Sequence, residues 1–177
     1  MKKCIDFLFS VLAGAAISIG GTVFLSLDNK VLGALFFCVG LFTVCNLDLL
    51  LVTGKVCELP GQRPAYLGWL ALIWVGNLAG TGLVALAVNA TRLGPALAEK
   101  AAGLCAVKTG DSLGSLFLLG LFCTVLIYLA VESYKNNAGE VGRYLGLILG
   151  VSVFVLCGFE HCVADMFYFS LAGWWSP

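Results

Sequence analysis

Charge is the scarcest ingredient of this sequence. Asp, Glu, Lys and Arg make up 11% of its 177 residues, where an ordinary globular chain carries about a quarter. The shortage excludes a water-soluble domain of usual composition. Ten basic and ten acidic residues cancel to a formal net charge of zero, which removes the electrostatic reason to expect a nucleic-acid partner. There is one histidine, and neither a Cys-x-x-Cys pair nor a His-Glu-x-x-His pattern occurs. A histidine-rich zinc centre, a dithiol redox motif and the common metallohydrolase signature are therefore missing, and no cofactor is expected.

What is present is hydrocarbon: 60% of residues are hydrophobic and the mean hydropathy is +1.01. Five apolar runs are long enough to cross a bilayer: Cys4–Leu27, Val31–Gly54, Ala65–Ala90, Ser112–Val131 and Tyr144–Trp175. Most charges collect between them, in Asp28-Asn29-Lys30, Lys55 to Arg63, Arg92 to Asp111 and Glu132 to Arg143. Runs of this length suit helices, and the alternating pattern of a membrane barrel is absent. The expectation is an all-α integral membrane protein, residues 1–177 forming a single transmembrane domain. Leu12-Ala13-Gly14-Ala15-Ala16 loosely resembles a signal-cleavage site, but the apolar run continues to Leu27, past the usual ~7–15-residue signal core. The first run reads as a retained helix.

With the N-terminus in the cytoplasm, Lys2, Lys3, Lys55, Arg63, Lys135 and Arg143 lie inside, and Lys30, Arg92, Lys100 and Lys108 outside. The bias favours this orientation. Among the eight cysteines, Cys38, Cys45, Cys123, Cys157 and Cys162 fall inside apolar runs, where thiols act as small hydrophobes; structural thiols are expected rather than disulfides.

The polar exception is Gly158-Phe159-Glu160-His161-Cys162-Val163-Ala164-Asp165 in the fifth run. Ionisable groups inside a membrane segment cost about 2–4 kcal/mol each and face a pathway or a site rather than lipid. The run is too long for one straight span, and Gly158 with its polar neighbours predicts an interrupted helix. Cys157, His161 and Asp165 also follow an i, i+4, i+8 spacing that would align metal ligands on one unbroken helix. That opens a second reading, an intramembrane metal-dependent enzyme using Cys157, Glu160, His161 and Asp165, although the lone histidine is a poor zinc signature. Shifting the second run by 112 positions lays Phe42, Cys45 and Asp48 on Phe154, Cys157 and Glu160. Those runs would cross in opposite directions, as in inverted-repeat transporters whose broken helices meet at a midplane site.

These residues resemble the formate/nitrite transporters, a family of formate, nitrite and hydrosulfide channels. Gly158-Phe159-Glu160-His161 with Ala164 and Met166-Phe167 is similar to the family's central-histidine signature. Ala13-Gly14-Ala15-Ala16 with Gly20-Gly21 resembles the small-residue face of its first helix. Leu51-Val52-Thr53-Gly54 resembles the threonine loop that interrupts the second, and Gly76-Asn77-Leu78-Ala79-Gly80 the Gly-Asn motif of the third. Lys108 stands where the family has a lysine of the conducting path.

The resemblance implies a homopentamer in which each protomer passes small monovalent anions through a bacterial-type inner membrane, non-enzymatically. His161 would meet the ion, Glu160 would orient it, and Thr53, Lys108, Thr124, Asp165 and Asn77 would line the path. Each has a plainer alternative: Thr53 satisfying a broken helix, Lys108 a solvated loop charge, Asn77 an interhelical hydrogen bond. Thr124 and Asp165 stand where the family commonly has asparagine, and Asp165 adds negative charge to an anion path unless it is protonated or paired. The chain reaches Trp174-Trp175-Ser176-Pro177 where the family continues into a sixth helix, so the inverted repeat reads as incomplete. That leaves a third reading, a shortened homologue serving as a non-conducting structural subunit in the bilayer.

Overall fold

The structure is a computed structural model and describes residues 2–174. Among these residues every regular element is helical: α1 Lys2–Ser26, α2 Lys30–Phe37, α3 Val39–Asn46, α4 Val52–Lys55, α5 Ala65–Asn89, α6 Gly94–Thr109, α7 Leu113–Asn136, α8 Glu140–Cys157 and α9 Cys162–Leu171, with one 3₁₀ turn at Val56–Glu58. Apolar segments in lipid must pair their own backbone groups, and helices do so within one segment. Among the described residues α1, α5, α7 and α8 are each long and apolar enough to cross a membrane.

The second run divides into α2, α3 and α4, and the fifth into α8 and α9, as expected. The breaks, 47–51 and 158–161, begin within one residue of each other under the 112-residue offset. The end of the fifth run at Trp175 lies outside the described residues. Two boundaries move. Helix α7 continues to Asn136, because Glu132-Ser133-Tyr134-Lys135 is polar but helix-compatible, and α8 starts at Glu140, where the turn through Asn137 and Gly139 ends.

A larger correction concerns Arg92–Asp111, read above as an inter-span loop. Most of it is α6, opened by Pro95 in its first turn, where a missing N–H costs nothing. Leu97, Ala101 and Cys105 are buried along one stripe, and α6 packs on α9. Lys100 ties α6 back to the end of α1, its ammonium donating to Leu25 O at 3.0 Å and to Asp28 Oδ1 at 2.9 Å. That hydrogen bond and its charge hold the Asp28 carboxyl below the usual carboxylate range.

At the centre α1 lies against α5 and α9. Helices α1 and α5 approach so closely that a Cβ built on Gly80 would fall 2.0 Å from Val11 O, and one on Gly14 2.2 Å from Asn77 O. Without a hydrophobic drive between spans in lipid, such contact supplies the attraction through packing. The buried hydroxyl of Ser18 on α1 donates to its own helix at Gly14 O, 2.9 Å, so a polar atom enters this interface already satisfied. Asn89 at the end of α5 donates to Leu171 O at 3.1 Å and fixes the far end of α9.

Candidate functional site

A broken helix at membrane depth exposes backbone groups that need partners from the protein itself. In the first break, Leu47–Leu51, Asp48 adopts a positive φ of 48°, and the fully buried Asn77 of α5 clamps the chain. Its Oδ1 accepts from Val52 N at 2.9 Å, and its Nδ2 donates to Leu50 O at 2.9 Å and Ser10 O at 2.7 Å. All three partners are backbone groups of fixed polarity, so they settle the amide orientation. Asn77 is thus a positioning residue whose polar atoms are used up by backbone, in line with its plainer alternative. What it positions is the start of α4, which carries Thr53.

The second break is made by Gly158, whose φ of 72° ends α8 in a left-handed turn that glycine adopts without steric penalty. Three residues later His161 caps α9: its Nδ1 accepts from Ala164 N at 3.2 Å. A backbone N–H is an obligatory donor, so Nδ1 carries no hydrogen and the neutral ring's proton sits on Nε2. Nε2 faces Thr53 Oγ1 at 3.2 Å. Thr53 and His161 are 6% and 3% exposed, and the Phe154 ring lies 5.5 Å from the imidazole, centroid to centroid. The two interrupted helices therefore meet through one threonine and one histidine.

Glu160 points elsewhere. Both ring nitrogens of His161 are engaged by Thr53 and Ala164, so the expectation that Glu160 orients the ring is replaced: the helix cap orients it. Glu160 instead pairs with Lys108, and Lys108 Nζ also lies 2.9 Å from Asp165 Oδ1. Lys108 is no solvated loop charge, since α6 carries it to the first turn of α9, where its side chain is 15% exposed. Asp165 is paired with a cation, which it shares with Glu160.

Thr124 remains apart from this cluster. Its hydroxyl donates to Gly120 O on its own helix at 2.8 Å, and it borders a groove with Thr53, Glu160 and Cys162. The metal alignment fails. Cys157 is the last residue of α8 and His161 precedes α9, so no single helix presents Cys157, His161 and Asp165 together. Among the described residues no three His, Cys, Asp or Glu side chains are grouped to hold a metal ion.

Three cavities lie in series through this centre. One of about 170 Å³ is lined by Leu41, Asp48, Leu51, Lys55, Glu58 and Lys135, among others. The middle one, about 10 Å³, shares Leu41 and Leu51 with it and is otherwise walled by Ile17, Phe37, Ile127, Val151, Phe154 and His161. The third, about 190 Å³, shares Phe37, Phe154 and His161 with the middle one and opens onto Lys108, Glu160 and Asp165. The middle chamber has room for about one water. Sequence reasoning missed the constricting side chains Phe37, Leu41, Leu51 and Phe154, because nothing in an apolar run marks which residue faces a path. Only Phe154 left a trace, through its repeat partner Phe42.

A model of the protein family described as formate/nitrite transporter matches residues 5–176. Formate channel FocB of Escherichia coli (strain K12) is 26% identical across 97% of this chain and 67% of its own length. The uncharacterized transporter YrhG of Bacillus subtilis (strain 168) is 31% identical across 78% of this chain and 56% of its own. The chain thus spans about two thirds or less of the length of these curated relatives. Among solved structures, a pentameric formate channel with formate bound superposes with a TM-score of 0.85 at 27% identity, covering 99% of this chain and 78% of that one. An FNT family ion channel does so with a TM-score of 0.82 at 25% identity, covering 94% and 73%.

Proposed function

The chain belongs to the formate/nitrite transporter family, and on that premise we propose that it conducts small monovalent anions such as formate, nitrite or hydrosulfide through the three cavities in series. The observation that carries this reading is the Thr53–His161 contact, which joins the two broken helices at the wall of the narrow middle chamber, His161 lining it and Thr53 meeting its Nε2.

A monovalent anion leaving water loses strong hydration, and a conduction site must replace it without holding the ion too tightly. The outer cavities offer cations, Lys55 and Lys135 in one and Lys30 and Lys108 in the other. Between them apolar side chains strip water from the ion. At the centre Nε2–H of His161 and the hydroxyl of Thr53 are two neutral donors that a passing anion can take over from each other. The ring acts as a donor rather than a proton reservoir: charging it would require a hydrogen on Nδ1 and loss of the cap to Ala164, at a cost of about 1 kcal/mol. The N-terminal end of α9 adds its partial positive charge at the same point. Passage requires Leu51 on one side and Phe154 on the other to swing aside, since the chamber at rest admits little more than water.

The assembly we favour is a homopentamer, by likeness to the pentameric relative. It would lie in a bacterial-type inner membrane with the N-terminus in the cytoplasm.

Anion flux into proteoliposomes containing the 177-residue chain tests the reading, with formate, nitrite and hydrosulfide compared and His161→Ala as the control. Saturable, selective flux that falls with the histidine supports it. Absence of flux from correctly inserted protein overturns it in favour of a non-conducting structural subunit.

A further inference from the structure

Arg143, in the first turn of α8, is a cation without a counter-charge. Among the described residues no carboxylate lies within 4.0 Å of it, Glu140 one turn earlier included. Its guanidinium lies instead over the Tyr134 ring of α7, with Cζ 5.6 Å from the centroid, and Nη2 gives one long hydrogen bond to Asn137 O at 3.4 Å. A guanidinium carries five N–H donors. Here Nε–H is buried with no acceptor, an unfavourable state for a charged group. Tyr134 is itself fixed, its hydroxyl donating to Asn46 Oδ1 at 3.1 Å. Tyr144 and Phe42 continue the aromatic row, with centroid separations of 6.0 Å from Tyr134 to Tyr144 and 5.8 Å from Tyr144 to Phe42. Tyrosines at the end of an apolar span mark the level where bilayer meets water. Beyond that level α8 presents Leu145, Leu149 and Val153, all exposed and four residues apart, hence on one face. From Arg143 to Val153 a helix rises about 15 Å, half of a hydrocarbon core about 30 Å thick. That is the depth of one leaflet.

We propose that this face of α8 binds an anionic phospholipid, with its phosphate on the Arg143 guanidinium and an acyl chain along Leu145, Leu149 and Val153. Charge and length together select the occupant. A purely apolar partner leaves Arg143 uncompensated, and a soluble anion compensates it but covers none of the apolar stripe. A zwitterionic lipid brings its own cation and so gains less from the guanidinium than a lipid of net negative charge. Arginine suits the task because its planar fork pairs two N–H donors with two phosphate oxygens, and stacking on Tyr134 holds that fork in place before the lipid arrives. The site also adjoins the path, since Tyr134 walls the first cavity together with Lys55 and Lys135. A lipid held on Arg143 therefore braces one side of that cavity. The inference stands apart from the conduction reading, because lipid binding is measured without any flux.

The test titrates the delipidated full chain in detergent with phosphatidylglycerol and, separately, with phosphatidylcholine, counting bound lipid by native mass spectrometry. Wild type is expected to prefer phosphatidylglycerol, and Arg143→Gln to weaken that lipid alone, by about fivefold. Arg63→Gln, a charge lost from another loop, is expected to match wild type. Equal preference in wild type and Arg143→Gln overturns the proposal. A second measurement keeps Arg143 intact and so does not depend on how Arg143→Gln folds. Leu149→Trp is reconstituted in vesicles containing either brominated phosphatidylglycerol or brominated phosphatidylcholine, and the fluorescence added over the parent protein is followed. Stronger quenching by the brominated anionic lipid supports the site. Equal quenching by both lipids shows a stripe facing bulk bilayer with no headgroup selection, and no quenching by either shows the stripe covered by a second copy of the chain; each of these overturns the proposal.

Discussion

Thr53 Oγ1 and His161 Nε2, 108 residues apart in sequence, lie 3.2 Å from each other and join the two interrupted helices. The threonine reaches the contact because Asn77 holds the chain ahead of α4, and the histidine because it caps α9. Replacing Thr53 by valine keeps the shape and leaves Nε2–H without a partner, a loss of about 1–3 kcal/mol for a buried donor. Thr53→Val is expected to lower both the unfolding temperature and the flux, and Thr53→Ser to restore most of each. Equal flux in all three proteins would show that the hydroxyl does not serve the ion.

Asn77 satisfies two backbone carbonyls and one backbone N–H at once. Asn77→Leu orphans Val52 N–H and Leu50 O, Ser10 O keeping its own helical partner within α1, and with each buried unsatisfied group costing about 1–3 kcal/mol the variant is expected to be much less stable than wild type. Asn77→Asp keeps an acceptor for Val52 N–H but faces the carbonyls of Ser10 and Leu50 with a carboxylate, so it should lie close to Asn77→Leu. Thermal unfolding in detergent ranks the three.

At Gly158 a Cβ would meet no atom within 4 Å, yet φ is +72°. The cost of alanine there is conformational alone, about 1–2 kcal/mol. Gly158→Ala is expected to remain folded with a lowered unfolding temperature and with reduced flux, because any relaxation of φ turns Glu160 and His161 away from Lys108 and Thr53. An unfolding temperature equal to wild type would contradict the strained turn.

Gly80→Ala probes the opposite case, ordinary backbone with no room. A Cβ 2.0 Å from Val11 O forces α1 and α5 apart, and overpacking of this kind costs about 1–3 kcal/mol. Gly82→Ala on the same helix, where a Cβ meets nothing within 4 Å, is expected to be neutral or slightly stabilising. Comparing the two unfolding temperatures isolates the contact.

Lys108→Met strands two largely buried carboxylates, a change of about 3–5 kcal/mol when one partner of a buried pair is removed. The variant is expected to be much less stable than wild type, and the triple variant Lys108→Met, Glu160→Gln, Asp165→Asn to recover most of the loss. A triple variant as unstable as Lys108→Met would mean that Lys108 matters for packing rather than charge.

The sequence by itself determined the solvent and the places where the helices fail. Five runs with few charges can satisfy their backbones in lipid only as helices. Gly158 followed by Glu160 and His161 marks a break, since a polar cluster there serves better at a protein-lined gap than on a lipid face. These are local properties, readable from neighbours along the chain. The site was legible as a set of residue types and much less as a set of contacts. Only tertiary structure decided that His161 is turned by its own cap rather than by Glu160, and that Asn77 clamps backbone instead of facing the path. It also showed that Arg92–Asp111 largely folds as α6 and brings Lys108 to Asp165. The physical reason is common to all three: each depends on which backbone or charged group lies opposite a side chain from a distant segment. Hydrophobic periodicity reports that a residue is buried, and the packed partner decides what it is buried against.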